Sequence, residues 1–305
     1  MALPLTMTAR NPNLAVEPGV HLTTYGPYRA PPAARALHAF KPIANMHIVH
    51  HMILTAGSGT PTEPHPYANA PSCRRGGRIV YAWARTGQLV PEPLELRDAP
   101  LAAAAYPVGY GTPYEYFCIQ IHYQNFDRST MRDASGVELT FAAEPPAIQL
   151  SLLVMMSTTL RIPPRIRRWD ECVSCNVVST GRVVAFRNHA HRLARDIWSD
   201  VFSTNGEPLG ARGNISAQQA QIFRLLPQPL LLRAGERLEL HCEYNSSAAT
   251  TTTRLGLDER YEEMCNQYFM SEASLQVRCP SRRTGWEATS SWSSAWVGAL
   301  GASAR

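Results

Sequence analysis

Apolar and polar residues alternate along much of the chain, in short runs that turn residues separate. Such runs occupy residues 46–54, 78–83, 116–123 and 137–141, and again residues 148–156, 182–191, 219–225 and 237–244. A period of two places successive side chains on opposite faces of a sheet, so each run predicts a strand. Turn markers such as Asn205-Gly206 lie between the runs. The pattern predicts an all-β chain of antiparallel strands, in the sandwich or jelly-roll class.

Changes in composition divide the chain into four segments. Residues 1–38 are rich in proline and alanine with little periodicity, and we expect an irregular lead-in there. The proline-containing segment 142–146 predicts a joint between a first domain over 39–145 and a second over 146–280. Residues 281–305 are small and polar, which favours a flexible tail.

Bulk composition excludes several classes of protein. The chain has 305 residues, of which 45% are hydrophobic and 17% charged, so it can bury a core. The net charge of +5 is mild and its basic residues are scattered, whereas a nucleic-acid site clusters them on one face. No run approaches the roughly 18 apolar residues of a membrane span. No signal peptide is visible at the start.

One group of candidate metal ligands lies in the second half of the chain. His189 and His191 are two residues apart, so a strand points both imidazoles to the same face. Met264, much later in the chain, can complete a set of three ligands. The blander interpretation is a pair of surface histidines and a buried methionine.

A second group lies in the first half. His50 and His51 are adjacent and would point to opposite faces of a regular strand. Joint ligation therefore requires a β-bulge or a bent strand end, and His122 can then supply a third nitrogen. Spacing alone does not exclude the remaining histidines, which are His21, His38, His47, His65 and His241.

The two groups differ in the softness of their donors. A thioether is a soft ligand that favours Cu(I), while imidazole accepts both oxidation states of copper. One all-nitrogen set beside one set that ends in sulfur indicates copper redox chemistry rather than a structural zinc.

Eight short motifs follow one another in an order that narrows the interpretation. They are Phe40-Lys-Pro, Val49-His-His-Met, Tyr81-Ala-Trp-Ala-Arg, Gln120-Ile-His-Tyr, Leu153-Val-Met-Met-Ser, Ile162-Pro-Pro, His189-Ala-His and Glu263-Met-Cys-Asn. From about Phe40 to Cys279 the chain resembles the copper type II, ascorbate-dependent monooxygenases, and within them the branch that hydroxylates peptidylglycine.

The resemblance implies a complete set of ligands and cofactors. The implied ligands are His50, His51 and His122 for an electron-transfer copper in the first domain, and His189, His191 and Met264 for an oxygen-binding copper in the second. In the family the two domains are β-sandwiches packed side by side, and the two copper ions face each other across a cleft. Ascorbate is the reductant and molecular oxygen the co-substrate.

Three further residues suggest a substrate. Arg187 precedes His189 by two residues, and Asn266 and Tyr268 follow Met264. A guanidinium with amide and phenol donors suits a carboxylate. The resemblance implies that these three hold the terminal carboxylate of a glycine-extended peptide, whose α carbon is hydroxylated in the first step of C-terminal amidation. A solvated arginine and a core tyrosine are the blander interpretation.

The cysteines follow the family pattern only in part. The resemblance implies the disulfides Cys242–Cys265 and Cys175–Cys279, whereas Cys118 and Cys172 are additional and Cys73 lacks its usual partners. It also implies the secretory pathway or the extracellular space, and a separate lyase that completes amidation, since no room remains for a lyase after Cys279.

Other functions stay open at this point. One is a related copper monooxygenase that acts on another amine or peptide. A second is a copper-binding protein without catalysis, and a third is a jelly-roll interaction module without metal.

Overall fold

The computed structural model describes residues 5–59, 77–85, 93–101, 103–256 and 258–279. Strands dominate this part of the chain, and its one helix is a short 3-10 turn at Leu96–Asp98. The all-β prediction is confirmed. The expected tail, 281–305, lies outside the described residues.

Within these residues, no helix has the length and apolar character that crossing a lipid bilayer requires.

The chain divides into two compact units, whose main segments are Met1–Ser151 and Leu152–Ser290. The first segment contains β1 (Leu5–Arg10), β2 (Leu14–Val16), β3 (Gly19–Arg29), β4 (Ala36–Ile43), β5 (Val49–Gly57), β6 (Arg78–Ala84), β7 (Leu94–Glu95), β8 (Ala104–Pro107), β9 (Tyr116–Asn125), β10 (Met131–Asp133) and β11 (Gly136–Ala142). The division itself falls within β12 (Ile148–Met156). The second segment contains β13 (Arg161–Ile162), β14 (Trp169–Ser179), β15 (Gly181–His189), β16 (Ala194–Phe202), β17 (Pro208–Ser216), β18 (Arg224–Leu232), β19 (Arg237–Tyr244), β20 (Thr253–Arg254), β21 (Asn266–Glu272) and β22 (Gln276–Arg278).

The first unit is a sandwich of two sheets. One sheet has the strand order β3-β9-β5-β6, and the other contains β1-β11-β4-β8 with β7 paired to β4. Aromatic side chains join the facing surfaces. Phe40 of β4 stacks on Tyr81 of β6 with ring centroids 4.8 Å apart, and Phe117 of β9 meets Phe141 of β11 at 6.1 Å. Such pairs contribute about 0.5–1.5 kcal/mol beyond the area that they bury.

The expectation of an irregular lead-in over 1–38 is wrong for the described part of that segment. Strand β1 pairs antiparallel with β11, and β3 pairs with β9 over most of its length. The partner strand lies about 130 residues further along the chain for β1 and about 100 residues for β3. Pairing with distant strands overrides the weak local propensity of a Gly- and Pro-containing sequence, because strand propensity depends strongly on context.

The second unit is also a two-sheet sandwich. Its five-stranded sheet has the order β17-β16-β19-β14-β22, and its other sheet contains β12-β21-β15-β18. A buried polar link joins the sheets: Asn188 of β15 donates to the carbonyl of Ile197 on β16 (2.9 Å), and Gln267 of β21 donates to Asn188 Oδ1 (2.9 Å). The first bond crosses from one sheet to the other, and the second holds the Asn188 amide from within its own sheet, so these buried polar groups are satisfied.

Disulfides reinforce this unit. Cys242 of β19 is joined to Cys265, and Cys175 of β14 to Cys279, so both pairs implied by the resemblance are present. Cys118, which is additional to the family pattern, is also disulfide-bonded. Cys172 carries a free thiol and is exposed. Cys73 lies outside the described residues.

We expect replacement of both Cys242 and Cys265 by alanine to lower the free energy of unfolding. The crosslink spans 23 residues, and closing a loop of that size restricts the unfolded chain by about 3 kcal/mol. Urea denaturation followed by tryptophan fluorescence measures the change. Cys172→Ser is the matched control and should leave the midpoint where it is. An unchanged midpoint in the double variant would contradict the stabilising role.

Candidate metal centres

Three buried imidazoles of the first unit converge through an irregularity in β5. His51 of β5 lies opposite His122 of β9, but the pairing of the two strands shifts between Val49 and His51. His50 is therefore the additional residue of a β-bulge, and its side chain can point to the same side as that of His51. All three histidines are buried, with 2–5% of their surface exposed. Strand β5 thus contains the bulge that His50 and His51 need in order to bind one metal ion together.

The three rings present the same atom to one another. His50 Nδ1 lies 3.2 Å from His122 Nδ1 and 3.2 Å from His51 Nδ1, and the last two are 3.4 Å apart. The point equidistant from these three nitrogens is about 1.9 Å from each, close to the roughly 2.0–2.1 Å of a zinc–imidazole bond. Three nitrogens with lone pairs can face one another in this way around a cation, so the arrangement fits a metal ion.

In the second unit, His189 ends β15 and His191 follows it after one residue, with ring centroids 5.3 Å apart. Each ring has an oxygen atom at its Nδ1. Gln221 Oε1 lies 2.5 Å from His189 Nδ1, and the carbonyl of Glu262 lies 2.9 Å from His191 Nδ1. Both Nδ1 atoms must then carry the proton, which leaves the lone pair on Nε2. Metal-binding histidines are oriented by contacts of this kind.

The orientation of the Gln221 amide is itself determined. Its Nε2 donates to the carbonyls of Ala190 (2.8 Å) and Ala217 (3.2 Å). Its Oε1 is consequently the atom that accepts from His189. Gln221 lies in the loop before β18, so a loop residue fixes the tautomer of a strand histidine.

A single carboxylate connects His191 to the segment that carries Met264. Oε2 of Glu263 accepts from the backbone nitrogens of His191 (2.8 Å) and Met264 (3.2 Å), while Oε1 accepts from that of Leu193 (2.6 Å). Tyr244 donates its hydroxyl to the carbonyl of Met264 (2.7 Å). The backbone of Met264 is thus held at both its nitrogen and its carbonyl.

Glu263 is completely buried. Burial raises the pKa of its carboxyl to about 7, and the three backbone donors oppose that rise. A charge in such a position is tolerated only where hydrogen bonds replace its hydration. Because all three bonds come from the strand end and the Met264 segment, the carboxylate and the local backbone geometry stabilise each other.

The residues that suggested a carboxylate receptor share one face of the sheet. Arg187 lies directly opposite Tyr268, and His189 opposite Asn266, in the pairing of β15 with β21. The Arg187 guanidinium carbon is 5.0 Å above the centre of the Tyr268 ring, and Arg187 Nε donates to the carbonyl of Gln221 (2.8 Å). All four side chains are buried.

Asn266 also contacts the methionine. Its Nδ2 lies 3.6 Å from Met264 Sδ, while its Oδ1 is buried and has no hydrogen-bond partner among the described residues. Asn266 stands opposite His189 in the sheet. The thioether is therefore on the His189 side of β21, next to the same asparagine.

The remaining histidines do not join these two groups. His38 contacts Glu95 (2.9 Å), and His47 contacts Asp127 (2.7 Å). His65 lies outside the described residues. The other two are His21, which contacts backbone carbonyls, and His241 on β19.

Gln221 and Tyr244 were absent from the residues that the sequence singled out, and Glu263 appeared there only as the first residue of a motif, without a role. Glu263 adjoins Met264, so a polar residue beside a ligand was the available signal. Gln221 and Tyr244 lie far from the ligands in sequence and are brought to them only by the pairing of the strands. Periodicity carries no information about such contacts.

Comparison with known proteins identifies a family. Residues 147–284 match the family model described as copper type II ascorbate-dependent monooxygenase, C-terminal domain. A peptidyl-glycine alpha-amidating monooxygenase of Mus musculus is 30% identical over 236 residues, which make up 76% of this chain. The chain belongs to the copper type II ascorbate-dependent monooxygenase family. Membership implies copper and ascorbate as the cofactor and reductant of the reaction.

Two further relatives of the chain are informative. A peptidylglycine alpha-amidating monooxygenase of Rattus norvegicus is 30% identical over 236 residues, and a tyramine beta-hydroxylase of Caenorhabditis briggsae is 23% identical over 256 residues. Each alignment covers 76% of this chain, but only 23% of the rat protein and 41% of the C. briggsae protein. The chain thus spans about a quarter of the amidating relatives.

Among solved structures, the chain is similar to the infectious bursal disease virus VP2 subviral particle. The match covers 88% of this chain and 72% of that one, at 10% identity and a TM-score of 0.20. A likeness of that size carries no argument.

We expect Glu263→Gln to destabilise the protein and weaken its affinity for copper, and Glu263→Ala to do so more strongly. Glutamine keeps one acceptor oxygen but places its NH2 group against a backbone N–H donor, so at least one hydrogen bond is lost. A hydrogen bond to a charged group contributes about 1.5–3 kcal/mol. Denaturation of the metal-free protein and copper titration against a chelator measure both effects.

The matched control is Glu236→Gln, which alters another buried carboxylate whose Oε2 accepts from Arg233 N. It should cost stability and leave copper affinity unchanged. Equal copper affinity in the wild type and both Glu263 variants would contradict the role assigned to this residue.

Proposed function

We propose that this monooxygenase hydroxylates the α carbon of the C-terminal glycine of peptides, with two copper ions, ascorbate and molecular oxygen. The observation that carries the proposal is the buried face on which Arg187 and Tyr268 stand beside His189. A protein that only stores copper needs no carboxylate receptor next to a metal ligand.

In this proposal the first copper is bound by His50, His51 and His122. The support is the triangle of Nδ1 atoms with sides of 3.2–3.4 Å. An all-nitrogen set of this kind suits both oxidation states of copper, so the site can take up and release an electron with little change in its ligands.

The second copper is bound by His189, His191 and Met264. Hydrogen bonds at the Nδ1 atoms of both histidines support ligation through Nε2. The thioether of Met264 is a soft donor that favours Cu(I). Glu263 and Tyr244 hold the backbone of the methionine, so the sulfur is presented from a fixed position.

Bound copper would supply single-electron transfer from ascorbate and the activation of molecular oxygen. In the overall reaction one oxygen atom enters the Cα–H bond of glycine. The other leaves as water, with two electrons from ascorbate and two protons. The chain itself contributes the binding, orientation and desolvation of the substrate.

Arg187 is the residue that would bind the peptide. Its guanidinium can form paired hydrogen bonds to the carboxylate of a substrate. A substrate that carries an amide or an amine at this position cannot form the same pair of bonds. Arg187 and His189 lie two residues apart on one face, so their backbones are separated by about 6.5 Å along the strand. A terminal carboxylate held by Arg187 therefore places the adjacent α carbon close to the metal ligand His189.

Compartment and product follow from the same proposal. The disulfides of the structure are typical of oxidising compartments, which supports the secretory pathway or the extracellular space. The hydroxyglycine peptide would pass to a separate lyase that completes amidation.

A second candidate is the hydroxylation of an amine. One relative is named tyramine beta-hydroxylase, although its identity is lower, at 23%. A carboxylate can form paired hydrogen bonds with the guanidinium of Arg187, whereas an amine cannot, which favours the peptide.

We expect the copper-loaded full chain to consume oxygen in the presence of ascorbate and a peptide that ends in glycine. Mass spectrometry should show one added oxygen atom on the terminal glycine. The same peptide ending in glycinamide is the control and should react poorly, because it lacks the carboxylate. Hydroxylation of tyramine instead would favour the amine candidate, and copper uptake without either product would indicate a non-catalytic copper-binding protein.

Replacement of Arg187 by glutamine should raise KM for the glycine-extended peptide by roughly 30-fold or more, since losing one partner of a buried charged pair costs about 2 kcal/mol or more. Copper content should not change. Arg182→Gln, on the same strand but paired with Glu272, is the matched control and should keep the wild-type KM. An unchanged KM in Arg187→Gln would remove the peptide assignment.

A further inference from the structure

Three unlike metal-binding side chains meet on the five-stranded sheet of the second unit. Cys172 of β14 lies directly opposite His241 of β19, and Glu239 precedes His241 by two residues on the same strand. Directly paired residues, and residues two apart, share one face of a sheet. One ligand atom from each of the three lies within 4.8 Å of the others.

A fourth side chain approaches from the next strand. Asp200 of β16 pairs with Glu239, and its Oδ2 is 3.5 Å from His241 Nε2. Trp198 donates its Nε1 hydrogen to the same oxygen (3.1 Å) and stacks on the His241 ring with centroids 5.1 Å apart. The tryptophan thus orients both the carboxylate and the imidazole.

Two of the proposed ligands, His241 and Cys172, offer ligand atoms without ordinary partners among the described residues. His241 Nε2 is buried and has no hydrogen-bond partner in the part of the chain that the structure describes. Arg237 Nε contacts Oε1 of Glu239 at 3.2 Å, while Oε2 faces His241 at 3.8 Å. Cys172 carries a free thiol. A nitrogen, a sulfur and carboxylate oxygens therefore face one another, with no hydrogen bond between them.

We propose that Cys172, Glu239 and His241, with Asp200 as a fourth ligand, form a third metal site that binds a zinc-like divalent cation. Thiolate, imidazole and carboxylate are the usual ligands of Zn²⁺, in a tetrahedral arrangement. Ligand atoms at about 2.0–2.3 Å from a tetrahedral ion are roughly 3.3–3.8 Å apart. The ligand atoms of Cys172, Glu239 and His241 already lie within 4.8 Å of one another, and Cys172 is exposed enough to move closer.

This site is separate from the two copper ligand sets in its residues and in its chemistry. It is the one group with a thiolate donor among the described residues that offer metal ligands. Its existence does not depend on the proposed hydroxylation. Its ligands stand on three neighbouring strands, β14, β19 and β16, so a bound cation would crosslink the sheet.

Cobalt provides a direct test, because Co²⁺ bound to a thiolate gives a charge-transfer band in the near ultraviolet that nitrogen, oxygen and thioether ligands do not give. The full chain is first shown by alkylation to hold Cys172 as a free thiol, and is then titrated with Co²⁺ in the absence of air. We expect one equivalent to produce the band and Zn²⁺ to abolish it by displacement.

Variants decide which residues are ligands. Cys172→Ser should lose the band, and His241→Ala and Glu239→Gln should lose or weaken it. Asp170→Asn alters an exposed carboxylate of the same strand outside the group and should leave the band intact. Absence of the band in the wild type, or its persistence in Cys172→Ser, would overturn the proposal.

A second measurement does not depend on cobalt. A metal-bound thiolate is a poor nucleophile toward alkylating agents, so Zn²⁺ should slow the alkylation of Cys172 by about tenfold or more. Peptide mass spectrometry follows the rate at that residue. If Zn²⁺ leaves the alkylation rate of Cys172 unchanged in the wild type, as in His241→Ala, then zinc does not bind there.

Discussion

The three hydrogen bonds that the buried Glu263 carboxylate accepts are the interaction on which the proposed second metal centre depends. They join His191 and Leu193, which follow β15, to the segment that carries Met264. Without them, His191 and Met264, which lie far apart in the chain, would lose the carboxylate that connects them. The disulfide Cys242–Cys265 and the hydroxyl of Tyr244 act on the same segment, so the thioether is presented by a backbone fixed from several sides.

In the first proposed centre, a β-bulge brings the candidate ligands together. A regular strand cannot direct His50 and His51 to one point, because adjacent side chains alternate between faces. The bulge between Val49 and His51 removes that restriction and lets His122 complete the set from the neighbouring strand. Both centres thus combine rigid sheets with one local departure from regularity, at which the ligands are gathered.

Local periodicity predicted the all-β class and the strands with strong alternation, and 148–156 and 237–244 coincide with β12 and β19. It failed where strands form through distant partners, as in β3, and where a polar run became a loop: residues 219–223 lie outside β18 and carry Gln221. The order of the motifs supplied the candidate ligands. The sequence could not predict the residues that support these ligands, because Gln221 and Tyr244 contact them only after the strands have paired.

The proposed activity requires two non-equivalent copper sites, one of nitrogen alone and one completed by sulfur. X-ray absorption of the reduced, copper-loaded protein tests this most directly. We expect two coppers per chain and a copper–sulfur contribution that disappears in Met264→Ile, while Met270→Leu, which alters a fully buried core methionine, retains it. A copper–sulfur signal that is absent from the wild type, or unchanged in Met264→Ile, would contradict the assignment.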